Sequence, residues 1–220
     1  MASQTIENYL KAIFHLSQHQ SEISTTDIAS ALQVRVPTVN SMVKKLADLG
    51  YVFYEKYRPV TITEKGKTTA ALIIRKHRLT EMFLVQKMGF GWDEVHDVAE
   101  QIEHLEAPLF FDRIDEMLGF PKYDPHGSPI PDIHGKITKR SMKPLSICTI
   151  GQRMELLGVS DTSDAFLKFL NGKTLGLGAE IQINSIEEYD GSMEISVNKA
   201  NVYVLSKMVA EKLLVGQKND

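Results

Sequence analysis

Cysteine is nearly missing from this chain: Cys148 is the single example in 220 residues. It cannot close an internal disulfide, and its place between Ile147 and Thr149 suits a small buried apolar residue in a reducing cytoplasm. Long apolar runs are missing too. No segment approaches the roughly 20 consecutive apolar residues that span a bilayer, so no membrane partner is expected. The opening stretch lacks the basic region and long apolar core of a secretory leader. There are no internal repeats or low-complexity tracts, and with one tryptophan and 8% aromatics no aromatic-rich peptide groove is visible. A large net charge is also absent, since 25 Lys and Arg stand against 28 Asp and Glu. What remains, 43% hydrophobic and 24% charged, is an ordinary globular composition.

The small net charge conceals an asymmetry. Residues 1–75 carry nine Lys and Arg against six Asp and Glu, and the remainder carries sixteen against twenty-two. Basic residues near the front can neutralise phosphates, while acidic ones behind can bind cations.

Apolar residues Tyr9, Leu10, Ile13, Phe14 and Leu16 recur at helical spacing and predict an amphipathic helix over 4–19. A short helix follows, opened by Ser or Thr near residues 24–27 and running through Leu32. Pro37 suits the first turn of a third helix, with Val39, Met42, Val43, Leu46 and Leu49 on one face and Gly50 as its stop. Two β-prone runs, 51–55 and 60–63, flank a turn at 56–59. This order is that of a winged helix-turn-helix.

Beyond it the pattern predicts helices over 64–88, 93–106 and 108–118. A loop rich in Pro and Gly follows over 119–131. From about Leu145 the texture becomes short strands, at 145–150, 179–184, 191–197 and 201–205, interrupted by a helical 164–170. A small, separate β-barrel domain is the expectation.

In a helix-turn-helix the second helix enters the major groove, and its N-terminal residues reach base edges. Arg35, Pro37, Thr38, Asn40, Ser41 and Lys44 occupy those positions. Arg suits guanine, Asn suits adenine, Ser and Thr reach bases or phosphates, and Pro37 offers apolar contact alone. Lys44, Lys45, Lys56 and Arg58 suit phosphates, the last two from the tip of the wing.

A second pattern is made of imidazoles and carboxylates. His77 and Glu81 are four residues apart on one helix face. His96, Glu100, Glu103 and His104 form another helical stripe, and His126 follows in the loop. Such groups converging from packed helices build divalent-metal sites.

The segments that carry these features are ThrIleGluAsnTyrLeuLysAlaIle (5–13), ValProThrValAsnSerMetValLysLysLeu (36–46), TyrGluLysTyrArg (54–58), ArgLysHisArgLeuThrGlu (75–81), GluGlnIleGluHis (100–104) and AspProHisGlySerProIlePro (124–131). In them the chain resembles the diphtheria toxin repressor and manganese transport regulator family, over essentially its whole length. The resemblance implies a mainly α chain with small β parts. A winged helix-turn-helix domain (1–73) would precede a helical dimerisation and metal-binding domain (74–141) and a C-terminal SH3-like β-barrel (142–220). It implies a cytoplasmic repressor, not an enzyme, that binds operator DNA as a homodimer when Mn²⁺ or Fe²⁺ is bound.

The same resemblance assigns a primary metal site to Asn8, Glu100, Glu103 and His104, joined by His77 in manganese-sensing members. An ancillary site would use Glu81, Asp124, His126 and Asp161, or His77, Glu81 and His96 as in iron-sensing members. Arg35, Pro37 and Ser41 match its base-contacting positions. Two positions depart from the family pattern. Asn8 stands where manganese sensors have Asp and iron sensors have Met, and Lys11 stands where a close metal pair uses Glu. Glu100 replaces the Cys of iron sensors, and an all-oxygen-and-nitrogen donor set favours Mn²⁺ or Fe²⁺ over thiophilic ions. Rival classes are a winged-helix regulator answering an organic ligand, which requires an apolar dimer pocket, and a metal-dependent hydrolase, for which no nucleophile or base motif is present.

Overall fold

The computed structural model describes residues 3–56, 58–138 and 140–217, so Tyr57 of the 54–58 segment lies outside the described residues. The chain divides into two compact units that do not follow chain order. One comprises Met1–Thr80, Ala99–Phe120 and Ile130–Thr138, and the other Glu81–Val98, Pro121–Pro129 and Lys139–Asp220. No helix among the described residues is long and apolar enough to cross a membrane.

The first unit opens with helix α1 (Gln4–Ser17), whose apolar stripe Ile6, Tyr9, Leu10, Ile13 and Phe14 is buried. Helix α2 (Thr25–Leu32) begins at Ser24, whose side chain accepts from the Asp27 amide while the Asp27 carboxylate accepts from the Ser24 amide. This reciprocal box satisfies two donors that a helix start leaves bare. Gln33, at φ 54°, closes α2 in the left-handed region and turns the chain into α3 (Val36–Asp48), which carries Pro37 in its first turn. Val39, Val43 and Leu46 bury one face of α3 against Leu10, Ile13 and Ile28 in a single core. The wing is shorter than the sequence suggests. Strands β1 (Val52–Phe53) and β2 (Thr61–Ile62) pair antiparallel through two residues each.

Helix α4 (Glu64–Met88) has the predicted bounds. Helix α5 is confined to His96–Ile102, and α6 covers Pro108–Met117. The stop of α5 before Glu103 matters, because Glu103 and His104 then lie in a turn rather than on a continuing helix face.

In the second unit, strands β3 (Lys143–Pro144), β4 (Arg153–Val159), β5 (Glu180–Ile186), β6 (Met193–Val197), β7 (Asn201–Leu205) and β8 (Leu213–Gly216) form one antiparallel sheet in the order β3-β8-β4-β5-β6-β7. Helix α7 (Asp164–Asn171) seals its core with Phe166, Leu167 and Leu170, and α8 (Lys207–Lys212) leads directly into β8. Among the described residues the two edges, β3 and β7, are not bonded to each other, so the expected barrel is an open six-stranded sheet here. The β3 edge is two residues long and ends on Pro144, which has no amide to extend a ladder. The strand expected at 145–150 is instead a 3₁₀ turn, Leu145–Ile147, followed by irregular chain.

Candidate metal centre and nucleic-acid interface

Glu103 is the hub of the first cluster. Its side chain has no exposure, and its amide still donates to the Ala99 carbonyl at 2.9 Å, which carries one last helical bond beyond α5. Burying the apolar face of α1 leaves Glu7, Asn8 and Lys11 along its flank. Lys11 Nζ donates to both Glu103 oxygens at 2.7 and 2.8 Å and to Glu100 Oε1 at 2.6 Å. His77 of α4 donates through Nδ1 to Glu103 Oε2 at 2.6 Å. His104 donates through Nδ1 to Glu7 Oε2 at 2.5 Å, and its Nε2 lies 3.5 Å from Glu103 Oε1. With the proton on Nδ1, the neutral ring presents a lone pair at Nε2, the tautomer that binds metals. Both His104 Nε2 and Asn8 Oδ1 are buried without a hydrogen-bond partner. A buried acceptor beside a carboxylate, as His104 Nε2 is beside Glu103, fits a cation, and Asn8 stands on α1 three residues before Lys11.

The second cluster is built on a loop. Asp124 Oδ1 accepts from the amides of His126 and Ser128, both at 2.9 Å, which fixes the turn. Gly127, at φ 86°, passes so close to β4 that a Cβ there would lie 2.1 Å from the Leu157 carbonyl. The His126 carbonyl in turn accepts from the Val159 amide at 3.0 Å. His126 donates through Nε2 to the Trp92 carbonyl at 2.8 Å and stacks on the Trp92 ring, leaving Nδ1 facing Glu81 Oε2 at 3.7 Å. Glu81, Asp124 and His126 are all buried. Burial pulls the His126 pKa down, but the hydrogen bond and charge of Glu81, with Asp124 and the Trp92 carbonyl, outweigh it and leave it raised.

Each cluster offers three ligand atoms within 4.8 Å of one another, from His77, Glu100 and Glu103 in one and from Glu81, Asp124 and His126 in the other. Oxygen and imidazole donors of this kind suit hard or borderline divalent ions. A carbonyl holding the far nitrogen of a ligand imidazole, as Trp92 holds His126, is the usual second half of such a site.

Residues 1–60 match the family described as "Iron dependent repressor, N-terminal DNA binding domain", and residues 63–132 match "Iron dependent repressor, metal binding and dimerisation domain". A solved manganese-dependent transcriptional repressor in complex with manganese is 31% identical, superposes with a TM-score of 0.85, and covers 97% of this chain and 100% of that one. The HTH-type transcriptional regulator MntR of Bacillus pumilus is 34% identical over 54% of this chain and 83% of its own length. The chain belongs to the diphtheria toxin repressor and manganese transport regulator family. The iron-dependent repressor IdeR of Mycobacterium tuberculosis is also 34% identical, over 59% of this chain, but the match spans just 56% of that protein. Members of this family are DNA-binding transcriptional repressors rather than enzymes.

Within this family frame the sequence-predicted residues separate. Glu100 and Glu103 gather on Lys11, with His77 and His104 reaching Glu103 and Asn8 one helical turn from Lys11 on α1, whereas Glu81, Asp124 and His126 gather on the loop. His96 Nδ1 lies 3.7 Å from Glu81 Oε1 at the more exposed margin of the second cluster. Asp161 is otherwise engaged. Its Oδ2 accepts from Lys212 at 2.5 Å and its Oδ1 from the Ser163 amide at 2.9 Å, and these bonds hold its pKa down at about 2. Sequence reading missed Glu7 and the Trp92 carbonyl as orienting groups. The i, i+4 spacing of Glu7 and Lys11 beside Asn8 is the one signal that points to Glu7.

On the DNA-reading side, Arg35, Pro37, Thr38, Ser41, Lys44, Lys45, Lys56 and Arg58 are exposed, and Asn40 is half-buried. Asn40, Lys44, Lys56 and Arg58 line a hollow of about 410 Å³ with Ser24 and Thr25 at the start of α2. Three cations and a helix N-terminus around one hollow make it receptive to a phosphate. Arg58 meanwhile pairs with Glu55 at 3.1 Å, a contact so exposed that a phosphate displaces it at little cost.

Proposed function

We propose that this chain is a metal-dependent transcriptional repressor, a cytoplasmic homodimer that grips operator DNA when Mn²⁺, or Fe²⁺ as the close alternative, is bound. The observation that carries the reading is the pair of buried carboxylate–imidazole clusters in a chain whose third helix presents a basic, exposed face. Glu81, Asp124 and His126, with His96 at the margin, are the residues that would hold one ion. Asn8, Glu100, Glu103 and His104, with His77, would hold the other, Glu7 fixing the His104 tautomer. A bound divalent ion supplies positive charge that draws these donors together. Because Asn8 belongs to α1 and Glu103 follows α5, joining them fixes α1, and through the shared core α3, against the rest of the unit.

Two recognition helices of a dimer must reach major grooves about one helical turn, roughly 34 Å, or a multiple apart. An ion that binds the DNA-competent arrangement more tightly shifts the population towards it, and DNA tightens ion binding in return. Arg35, Thr38, Asn40 and Ser41 read bases, Pro37 packs on a methyl, and Lys44, Lys45, Lys56 and Arg58 neutralise phosphates. Leu109, Phe110 and Met117 of α6 are exposed and apolar, which supports α6 as the dimer surface. We read the six-stranded sheet as the SH3-like domain of longer family members.

The test is fluorescence anisotropy on the DNA upstream of the protein's own gene, titrating Mn²⁺, Fe²⁺ and Zn²⁺ separately after chelation. Operator affinity should rise at least tenfold with Mn²⁺ or Fe²⁺ and collapse on adding chelator. Binding indifferent to chelator would favour the organic-ligand regulator instead.

A further inference from the structure

Lys11 belongs to none of the roles assigned so far, yet its side chain makes the closest contacts in the first cluster. Its ammonium lies within 2.8 Å of three carboxylate oxygens, two of them on the fully buried Glu103. We propose that Lys11 is a tethered cation that holds Glu100 and Glu103 in the metal-free protein, so that a divalent ion enters this cluster by displacing it. Lys11 thereby sets the metal concentration at which the cluster loads. The inference rests on the metal-regulated reading above.

A buried carboxylate without a positive partner is strongly unfavourable, and a second one nearby makes matters worse. Lys11 meets that need from within the chain, and whatever stability it gives the metal-free cluster is subtracted from metal binding. The ammonium and a divalent ion cannot share the site. Both require the same carboxylate lone pairs, an ion at about 2.0–2.2 Å from oxygen, and their like charges repel at that separation.

The exchange still has a driving force. The three N–H donors of Lys11 are spent on carboxylates, while Asn8 Oδ1 and His104 Nε2 stay buried and unpartnered. An incoming ion gains the His104 nitrogen beside Glu103, which the ammonium leaves unused, and α1 carries Asn8 one turn from Lys11 as a further donor. The stem of Lys11 is long enough to swing its charge back to water once released, since it is not fully enclosed: its side chain keeps 13% exposure.

The test reads the first cluster alone by calorimetric Mn²⁺ titration of the full chain carrying Glu81→Gln. In that background the native residue is compared with Lys11→Met, Lys11→Gln and Lys11→Arg. Loss of the charge in Met or Gln should tighten Mn²⁺ binding at least tenfold, whereas Arg should keep it weak. Gln retains a donor to the carboxylates, so it reports even if Met compromises folding. The metal-free melting temperature should drop for Met while the rise produced by Mn²⁺ becomes larger than in the parent. Mn²⁺ affinities equal within twofold for Lys, Met and Gln would overturn the proposal. Operator binding by the unaltered chain that ignores both Mn²⁺ and chelator would instead overturn the metal-regulated reading, leaving the calorimetric comparison to stand by itself.

Discussion

The two clusters solve the same electrostatic problem by different means. Around Glu103 the compensating charge is an ammonium on a flexible stem, delivered from α1 across 92 positions of sequence. Around Glu81 the compensating group is an imidazole held rigidly between the Trp92 carbonyl and a loop clamped to β4. On the proposal above, a mobile full charge stabilises the metal-free state and would have to be evicted by an ion. A fixed imidazole already has its ligand nitrogen in place and gives up at most a proton. If both clusters take an ion as proposed, the first arrangement would resist loading and the second would invite it.

This contrast can be broken at its hub. Glu103→Gln in metal-free protein removes the fully buried partner of Lys11 but leaves its contact with Glu100, so the expected loss is about 2–3 kcal/mol, below the roughly 3–5 kcal/mol of a buried charge left wholly unpaired. Glu81→Gln under the same conditions should cost clearly less. Urea denaturation of both variants in chelating buffer checks this, and equal losses would erase the distinction between a self-compensated cluster and a metal-dependent one.

A second, smaller effect sharpens it. Mn²⁺ at a hundredfold excess over its dissociation constant should stabilise the native chain by about 2.7 kcal/mol per occupied site. Glu81→Gln should remove the increment seen at low Mn²⁺ and leave the one that appears at higher concentration, as followed by thermal melts at stepped metal concentrations. If the low-concentration increment survives, the order of loading is reversed.

The smallest effect concerns Asp161, a third carboxylate held by a lysine. Its pKa is depressed to about 2 by the Lys212 hydrogen bond first and the Ser163 amide second. A depressed carboxylate contributes stability that is present above its unfolded value of about 3.9. That stability is lost as pH falls towards 2. The pair is partly exposed, so Asp161→Asn should cost about 0.5 kcal/mol at pH 6. Acid titrations of both proteins should then converge at the low end of that window. Unlike Lys11, Lys212 serves a carboxylate near the surface, and its loss should leave Mn²⁺ binding to the first cluster unchanged.

The winged-helix half of the fold was readable because its information is local. Helices α1 to α4 announce themselves by apolar spacing, a Ser or Thr N-cap near 24–27 and a proline at the start of α3. The sheet half was less so. Residues 145–150 are apolar at 145, 147, 148 and 150, which suits a short strand, but Leu145 and Cys148 are buried while Ile147 and Ile150 are exposed. Burial three residues apart is the period of a 3₁₀ turn, and six residues are too few to separate the two. Strand β8 was hidden because it continues from α8 without glycine or proline between them.

For the site, the residue types were legible from spacing, while their grouping came from the family resemblance rather than from any periodicity. His77 and Glu81 share a face by spacing, but spacing does not reveal that His77 reaches Glu103 or that Glu81 faces His126. The stripe from His96 to His104 breaks where α5 ends at Ile102. Lys11 was visible as a departure from the family pattern, but no periodicity reveals which carboxylates a side chain reaches from the far end of a domain.

The close pass of Gly127 over β4 has a spectroscopic consequence. The Val159 amide points out of the sheet to the carbonyl of His126, so a backbone proton reports on a residue that would hold the ion. Its exchange with solvent deuterium requires the loop to lift, and an ion that binds only the closed loop would slow that exchange in proportion to one plus the ratio of its concentration to its dissociation constant. If the second cluster takes an ion as proposed, Val159 would be a built-in gauge of its loading, readable without DNA or any added label.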